Sequence, residues 1–528
     1  MRQILLLGSV LFLTITSQAQ GSYPYSVEIK PVTINQMPEL HSFAYGVKDG
    51  NWILVGGRTD GIHARQPNSA FPVNSNNTRI YVVNPSSGTV QSFSTANFSS
   101  VLSEHLQATN LNFIHDESTL YLMGGYGYSP TTGNHKTYSY LTMADMGCVI
   151  DSISKSVSPE PCFKSINHSD FAVTGGQMAI EDDTLILFGG HRFDGRYNPM
   201  GHATYSQTYT EQIRRFVVDA SVPSAQWVDT ITNQLHLHRR DYNMLPQVFS
   251  DGSFGYTLFS GVFQHNQDLP FLYPVDYRMG GIQPRTNFNQ YLSQYHSAKT
   301  CFYDSTDNSM HNVFFGGLSQ YSYDNNTLVK DDYVPFVQTV SVVHRSANDS
   351  LTEIELPVRM PDRLGASAEF IPYEEGAYTS HGVTLIGTAS PDTIFLGHIV
   401  GGLKSTEDNP FSANRTSATS ASNTVFSVRL IRSGSGSVQA AKVVPDFKLG
   451  PNPLTDGGLS LYFDSATSRT IEFYLINMAG QLVWQTTTRS DQKDVVINIP
   501  DHLANGLYES VISLDYEYFS TNELMIAR

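Results

Sequence analysis

The chain has 528 residues, 40% of them hydrophobic and 15% charged, which is enough apolar material for one large domain plus a smaller one and excludes an intrinsically disordered chain. Its formal net charge of -16 repels phosphate backbones and anionic membrane surfaces, which argues against a nucleic-acid partner. Aromatics at 12%, with 40 Gly and 25 Pro, are the mixture of many short strands joined by turns, so the expected class is all-β.

The first residues, Met1 to Gln20, carry one arginine, an apolar stretch from Ile4 to Ile15, and small residues Ser17 and Ala19 spaced as a signal-peptidase site requires. The stretch is too short for a mature spanning helix, so residues 1–19 are expected to be a cleaved signal peptide rather than a membrane anchor. No cysteine stands at the junction to take a lipid, and no later stretch reaches a spanning length. The expected location is secreted or at the outer cell surface.

From there one pattern recurs. A β-rich run ending in paired glycines, or a near relative, appears as "WILVGG" to Gly57, "LYLMGG" to Gly125, "LILFGG" to Gly190, "GYTLFSG" to Gly261, "NVFFGG" to Gly317 and "LGHIVGG" to Gly402. Each run follows another strand-like segment across a short polar turn, as "FAYGVKDGN" precedes the first, and Asp, Asn, Gly and Ser in those turns supply hairpin geometry. A longer polar loop and further strands such as "TRIYVVN" or "RRFVVDA" come after. About four antiparallel strands repeated six times is the signature of a β-propeller. Six blades is the expected count, with a seventh if a degenerate copy occupies the long gap between Gly317 and Gly402. The segment "YSVEIKPVTI" is placed to supply an outer strand that closes the ring. The paired glycines read as architectural, letting backbones approach near the crowded axis.

These runs resemble kelch repeats over roughly residues 35 to 433. The fourth copy departs with Phe-Ser-Gly, and the Trp usual later in a kelch repeat is mostly missing, Trp227 being the clearest candidate. Some kelch-type propellers are enzymes, including copper-dependent sugar oxidases and a sialic acid mutarotase. The resemblance therefore implies a sugar-modifying enzyme as one alternative; an oxidase would need a Tyr and His copper set, with Cys301 the only cysteine left for a Tyr crosslink.

Three cysteines are present. In an oxidising compartment Cys148 and Cys162 could pair and leave Cys301 over, the alternative being three unpaired structural thiols.

Beyond the propeller, expected over 20–433, "SGSGS" from Ser433 to Ser437 reads as part of a flexible linker spanning 434–447. Strong alternation in "LSLYF", "TIEFYLINM", "VVINI" and "LYESVISL" then predicts a small antiparallel β-sandwich over 448–528. Its motif order, Pro451-Asn452-Pro453, "GGLSLYF", Asn477 to Val483, "LANGLY" and a final short strand, resembles the type A C-terminal sorting domain of the type IX secretion system of Bacteroidetes. The ending "ELMIAR" departs from the more usual lysine-rich last strand. The resemblance implies an export address and the type IX machinery as partner; an Ig-like binding module is the alternative.

All loops after the glycine pairs fall on one propeller face with the connections entering each next blade, so convergent chemistry is expected there. The first loop offers Arg58, Asp60, His63 and Arg65, the second Tyr126 and Tyr128, the third His191, Arg192, Asp194 and Arg196. Aromatic faces with planar polar groups suit sugar rings or peptides, against the reading of ordinary solvated loops. His236 and His238 in "LHLHRRDYN" alternate like ligands on one strand face, but no third ligand is visible at readable spacing and Arg239 and Arg240 disfavour a cation. No metal, cofactor or catalytic set is expected. The leading expectation is a binding module for carbohydrate or protein ligands; the alternatives are a mutarotase- or oxidase-like enzyme and an adhesion scaffold.

Overall fold

The computed structural model describes residues 23–201, 204–278, 280–325, 327–375, 377–379, 381–436 and 445–528. The expected signal peptide and the linker residues 437–444 lie outside them.

Among the described residues, six sheets of four or five strands follow one another from Tyr23 to Gly436. The first runs Ala44–Lys48, Asn51–Val55, Arg79–Asn84 and Thr89–Ser94 from axis to rim. The second comprises Asn112–His115, Thr119–Met123, Tyr140–Asp145 and Phe163–Asn167; the third, Gln177–Glu181, Thr184–Phe188, Gln212–Asp219 and Ser224–Thr232. The fourth is Asn243–Val248, Phe254–Phe259, Val275–Arg278 and Gly281–Pro284, and the fifth Ala298–Asp304, Ser309–Phe315, Thr339–Arg345 and Leu351–Arg359. In the sixth, Glu369–Pro372, Thr393–Val400 and Val425–Gly436 take Tyr23–Val32 as their outer strand, so the two ends of the ring are hydrogen-bonded in one sheet. Residues from the innermost strands of all six sheets line one central cavity, which makes the fold a β-propeller.

Local chemistry explains the hairpins. In the first sheet Asp49 and Gly50 both take positive φ, 49° and 70°, the geometry a two-residue turn needs to match strand twist. The paired glycines are all left-handed, and their space is spoken for: a Cβ on Gly124 would lie 1.8 Å from the Val173 carbonyl oxygen, and one on Gly316 1.9 Å from that of Leu364. In the fourth copy Ser260 keeps the same left-handed φ, 55°, so the departure in sequence is not one in backbone.

The gap between Gly317 and Gly402 holds no further four-stranded sheet among the described residues. An excursion between Pro372 and Thr393 instead carries Thr384–Ile386 under the neighbouring sheet, where it pairs in parallel with Phe302–Asp304. Cys148 and Cys162 form a disulfide that ties the helix Met146–Ser154 to the start of Phe163–Asn167.

The C-terminal segment makes two facing sheets. One joins Phe447–Gly450, Gly458–Phe463 and Asp494–Asn498; the other Leu482–Ser490, Arg469–Asn477, Gly506–Leu514 and Tyr518–Ile526. They enclose a core of their own around Leu461, Phe473, Ile512 and Leu524. The sequence pattern treats this module as separate, yet it is docked on the propeller. Tyr474, Ile476, Val511 and Phe519 share one apolar cluster with Leu235, Leu237, Phe271 and Tyr273. Gln234 clamps the seam, its amide donating to the Gly480 carbonyl (2.8 Å) while its side-chain oxygen accepts from the Leu482 amide (2.8 Å).

Candidate functional site

The residue after each glycine pair is bridged to the segment that enters the innermost strand of its sheet: Arg58 with His41, Tyr126 with Thr109, His191 with Thr174, Val262 with Arg240, Leu318 with Tyr295, and Leu403 with Ala366. The next residue of each entering segment is left-handed: Ser42 (φ 53°), Asn110 (50°), Gly175 (66°), Asp241 (53°), His296 (50°) and Ser367 (54°). Short polar residues and glycine tolerate that region best, which fits five of the six positions directly and His296 as one of the enriched types. The turn swings each amide sideways toward the neighbouring segment. Asn110 donates to Ser42 O (3.1 Å), Gly175 to Asn110 O (3.5 Å), Asp241 to Gly175 O (2.7 Å), Ser367 to His296 O (2.7 Å) and Ser42 to Ser367 O (3.0 Å). A backbone collar therefore surrounds the mouth of the axis. Between Asp241 and His296 the side chains face each other, Oδ1 and Nδ1 3.8 Å apart and beyond hydrogen-bond reach.

Below the collar lies a cavity of about 250 Å³. Lys299 and Glu369 stand near its upper end, Tyr45, Phe113, Met244 and Cys301 line its middle, and His115 faces Glu374 at 3.7 Å near its foot. Burial pushes the Glu369 carboxyl up to about 7, partly offset by Lys299, and holds the Lys299 ammonium below its ordinary value.

Above the collar stands Arg240. Its Nη1 meets Asp241 Oδ2 at 2.5 Å, its Nε donates to the Tyr209 hydroxyl at 3.3 Å, and its guanidinium lies 4.9 Å from the Phe263 ring centre. Burial opposes charge on both partners, but Tyr209 and Asp241 hold the Arg240 pKa above its usual value, and Arg240 with His296 and His191 holds Asp241 below its own. The pair is ionised. Burial, with Arg240 second, brings His63 down to about 4 and His191 to about 3, so both imidazoles are neutral near pH 7. Gln207 Nε2 lies 2.7 Å from His191 Nδ1, which fixes that nitrogen as the acceptor.

The residues singled out from sequence divide by role. Arg58 is buried and fully engaged: Asp60 takes Nε and Nη2 at 2.8 and 2.7 Å, Asn76 takes Nη1 at 2.7 Å, and Pro72 O accepts at 3.1 Å. It locks the first loop rather than presenting itself. Tyr126 is likewise buried, its hydroxyl on Gly195 O (2.8 Å), and the Tyr128 carbonyl accepts from Tyr138. Arg192 and Asp194 pair at 2.6 Å on the exposed side of the hairpin formed by His191–Gly195 and Tyr205–Tyr209. Arg196 ties the third loop to the first through Ala70 O (2.7 Å), and Arg65 ties the first to the sixth through Ser412 O (3.4 Å) and the Phe411 ring (5.1 Å). His63 sits where these loops meet, against Phe71 (4.8 Å), Tyr197 (4.9 Å) and Phe411 (5.2 Å).

Sequence reasoning did not single out Arg240, Asp241 and His296, which stand at the collar. Their signal is positional, immediately ahead of an innermost strand. It also misplaced His236 and His238, which lie in or beside a turn, not on one strand face. His236 faces Tyr273 (2.9 Å) and Glu509 (3.3 Å) at the C-terminal seam. His238 is turned the other way, between the Tyr209 and His265 rings, with Nδ1 2.7 Å from Glu211 Oε1.

No protein-family model matches the chain, and no curated protein matches it. Among solved structures, the one described as "Structure of YjhT" is 10% identical with a TM-score of 0.42, over 71% of this chain and 94% of that one. A "novel fungal alcohol oxidase with catalytic diversity among the AA5 family, in complex with copper" is 9% identical with a TM-score of 0.35, over 96% of this chain and all of that one. By its own ring of sheets about one axis, the chain is an all-β protein of the propeller type.

Proposed function

We propose that this chain is an exported carbohydrate-binding propeller whose ligand rests over Arg240 on the face of the glycine-pair loops. The observation that carries this reading is the Arg240–Asp241 pair at the collar. Asp241 and Tyr209 take two of the guanidinium donors, and Nη2 has no partner among the described residues, so a planar donor remains for a hydroxyl or carboxylate. Around it stand the Tyr209, Tyr295, Phe263 and Tyr197 rings and neutral imidazoles, which offer apolar faces to a pyranose without a competing net charge. Glycan-array binding by the mature chain tests it: selective signals should vanish in Arg240→Ala and persist in Arg192→Ala. Equal signals in wild type and Arg240→Ala would overturn the site.

One observation favours a second reading. Asp241 and the neutral imidazole of His296 face each other at the mouth of the cavity, so the carboxylate can take the anomeric hydroxyl proton while the imidazole N–H gives one to the ring oxygen. On this reading the propeller interconverts sugar anomers. Magnetisation exchange between the anomers of array-selected reducing sugars should then accelerate with wild type and not with Asp241→Asn.

The kelch resemblance and the export route belong to the same proposal. Residues 1–19 act as signal peptide and the C-terminal sandwich as a type IX address, delivering the propeller to the outer surface or medium. The Cys148–Cys162 bridge supports an oxidising destination.

A further inference from the structure

We infer that Glu211, His238 and His265 form a binding site for one divalent transition-metal ion, at the rim of the same face between the third and fourth sheets. The three come from separate segments: Glu211 just ahead of the strand Gln212–Asp219, His238 from the turn before Arg240, and His265 from the loop after Gly261. One donor atom from each lies within 4.8 Å of the other two. Chain distance gives no reason for such convergence.

His238 is stacked between the Tyr209 ring and the His265 ring, each with centroids 3.8 Å away, so an ion shared by both imidazoles requires the His265 ring to turn out of the stack about its bond to the Gln234 carbonyl. His265 Nε2 lies 2.6 Å from the Gln234 carbonyl, which can only accept, so the proton is on Nε2 and the lone pair on Nδ1. A backbone carbonyl fixing the far nitrogen is the outer-shell arrangement that orients a metal-binding imidazole. His238 Nδ1 and Glu211 Oε1 stand 2.7 Å apart as hydrogen-bond partners, and an ion at roughly 2.0–2.2 Å from both would spread them to roughly 3.3–3.6 Å in tetrahedral geometry. An ion entering there displaces the shared proton to solvent. Side-chain exposures of 15% for His238 and 19% for Glu211 leave an entry path.

The nearby arginines do not oppose it. Arg239 turns into the interior, its Nε on His236 O (2.8 Å) and Nη1 on Ser260 O (2.7 Å) and Tyr273 O (2.8 Å). Arg240 is matched by Asp241. Two imidazole nitrogens and one carboxylate select zinc and its transition-metal neighbours over calcium or magnesium, and three protein ligands leave positions open for water or a ligand atom.

The inference stands apart from the carbohydrate reading and is tested without any sugar. Zinc titrated calorimetrically into the untagged, chelator-stripped mature chain at neutral pH should bind with a stoichiometry of one. His238→Gln and His265→Gln should each weaken that binding by about tenfold or more, with near-UV circular dichroism reporting an intact fold. Cobalt substituted for zinc should give visible d–d bands in wild type that both variants lose. Absence of binding, or one equivalent bound equally by folded His238→Gln and His265→Gln, would overturn the site; should either variant unfold, loss of the cobalt bands in Glu211→Gln decides in its favour and their persistence against it.

Discussion

Asp276 of the fourth sheet accepts both terminal nitrogens of Arg345 of the fifth, at 2.6 and 3.1 Å, with each side chain only 1% exposed. Arg285 adds a third contact at 2.9 Å, and Asp349 receives both arginines, so two cations and two carboxylates balance inside the joint between two sheets. Removing one member leaves an uncompensated buried charge. Asp276→Ala is expected to cost about 3–5 kcal/mol, read as a lowered calorimetric unfolding temperature; a shift no larger than that of an exposed Asp362→Ala control would contradict this account.

The glycine pairs make a sharper stability test. Gly124→Ala meets both a left-handed backbone and the Val173 oxygen, whereas Gly50→Ala meets the left-handed backbone alone, with open space around it. Gly50→Ala should cost about 1–2 kcal/mol, and Gly124→Ala clearly more. Equal thermal shifts would mean that the close approach is not what fixes the residue.

Reduction of the Cys148–Cys162 bridge opens a loop of sequence separation 14. The expected loss is about 3 kcal/mol in any opening that frees the loop, felt first by the helix Met146–Ser154. Hydrogen exchange with and without reductant would show the helix amides deprotected first; uniform deprotection of the second sheet would refute a local role.

Stability should also respond to pH through Glu369. Its folded pKa, about 7, lies above the ordinary 4.5, so between these values the native state holds the extra proton. Stability contributed by this group is present at low pH and declines as pH rises from about 4.5 to about 7. Glu369→Gln should flatten that part of the unfolding-temperature profile; an unchanged slope would assign it to other groups.

For recognition, Arg240→Lys separates charge from shape. Lysine keeps the cation but not the planar fork, so glycan affinity should fall by about tenfold while the fold is unaffected. Affinity equal to wild type in a titration would show that charge alone suffices.

The fold was largely legible because its constraint is local: a strand end that must turn left-handed against a neighbouring carbonyl selects glycine, and the sequence repeats it from Gly57 to Gly402. The same logic picked out residues that the fold draws inward. Residues just after a glycine pair, Arg58 and Tyr126 among them, are drawn into backbone bridges and loop locks, so they end up buried. Arg240, Asp241 and His296 are marked only by their offset from the innermost strands, which becomes visible once registers are known. Glu211, His238 and His265 meet through three loops, and no spacing in one chain encodes that meeting. The docking of the C-terminal module was hidden for another reason: "SGSGS" announces a tether, while Tyr474 and Phe519 look like ordinary strand residues until the surface opposite them is seen.

That docking bears on what cleavage between the two modules would do. Cutting the chain in its linker would not by itself free the last sandwich, because Gln234, Tyr273 and Phe519 would still hold the two pieces together. A nicked molecule should travel as one particle, and a propeller truly stripped of its partner would carry an oily scar at Leu237 and Phe271.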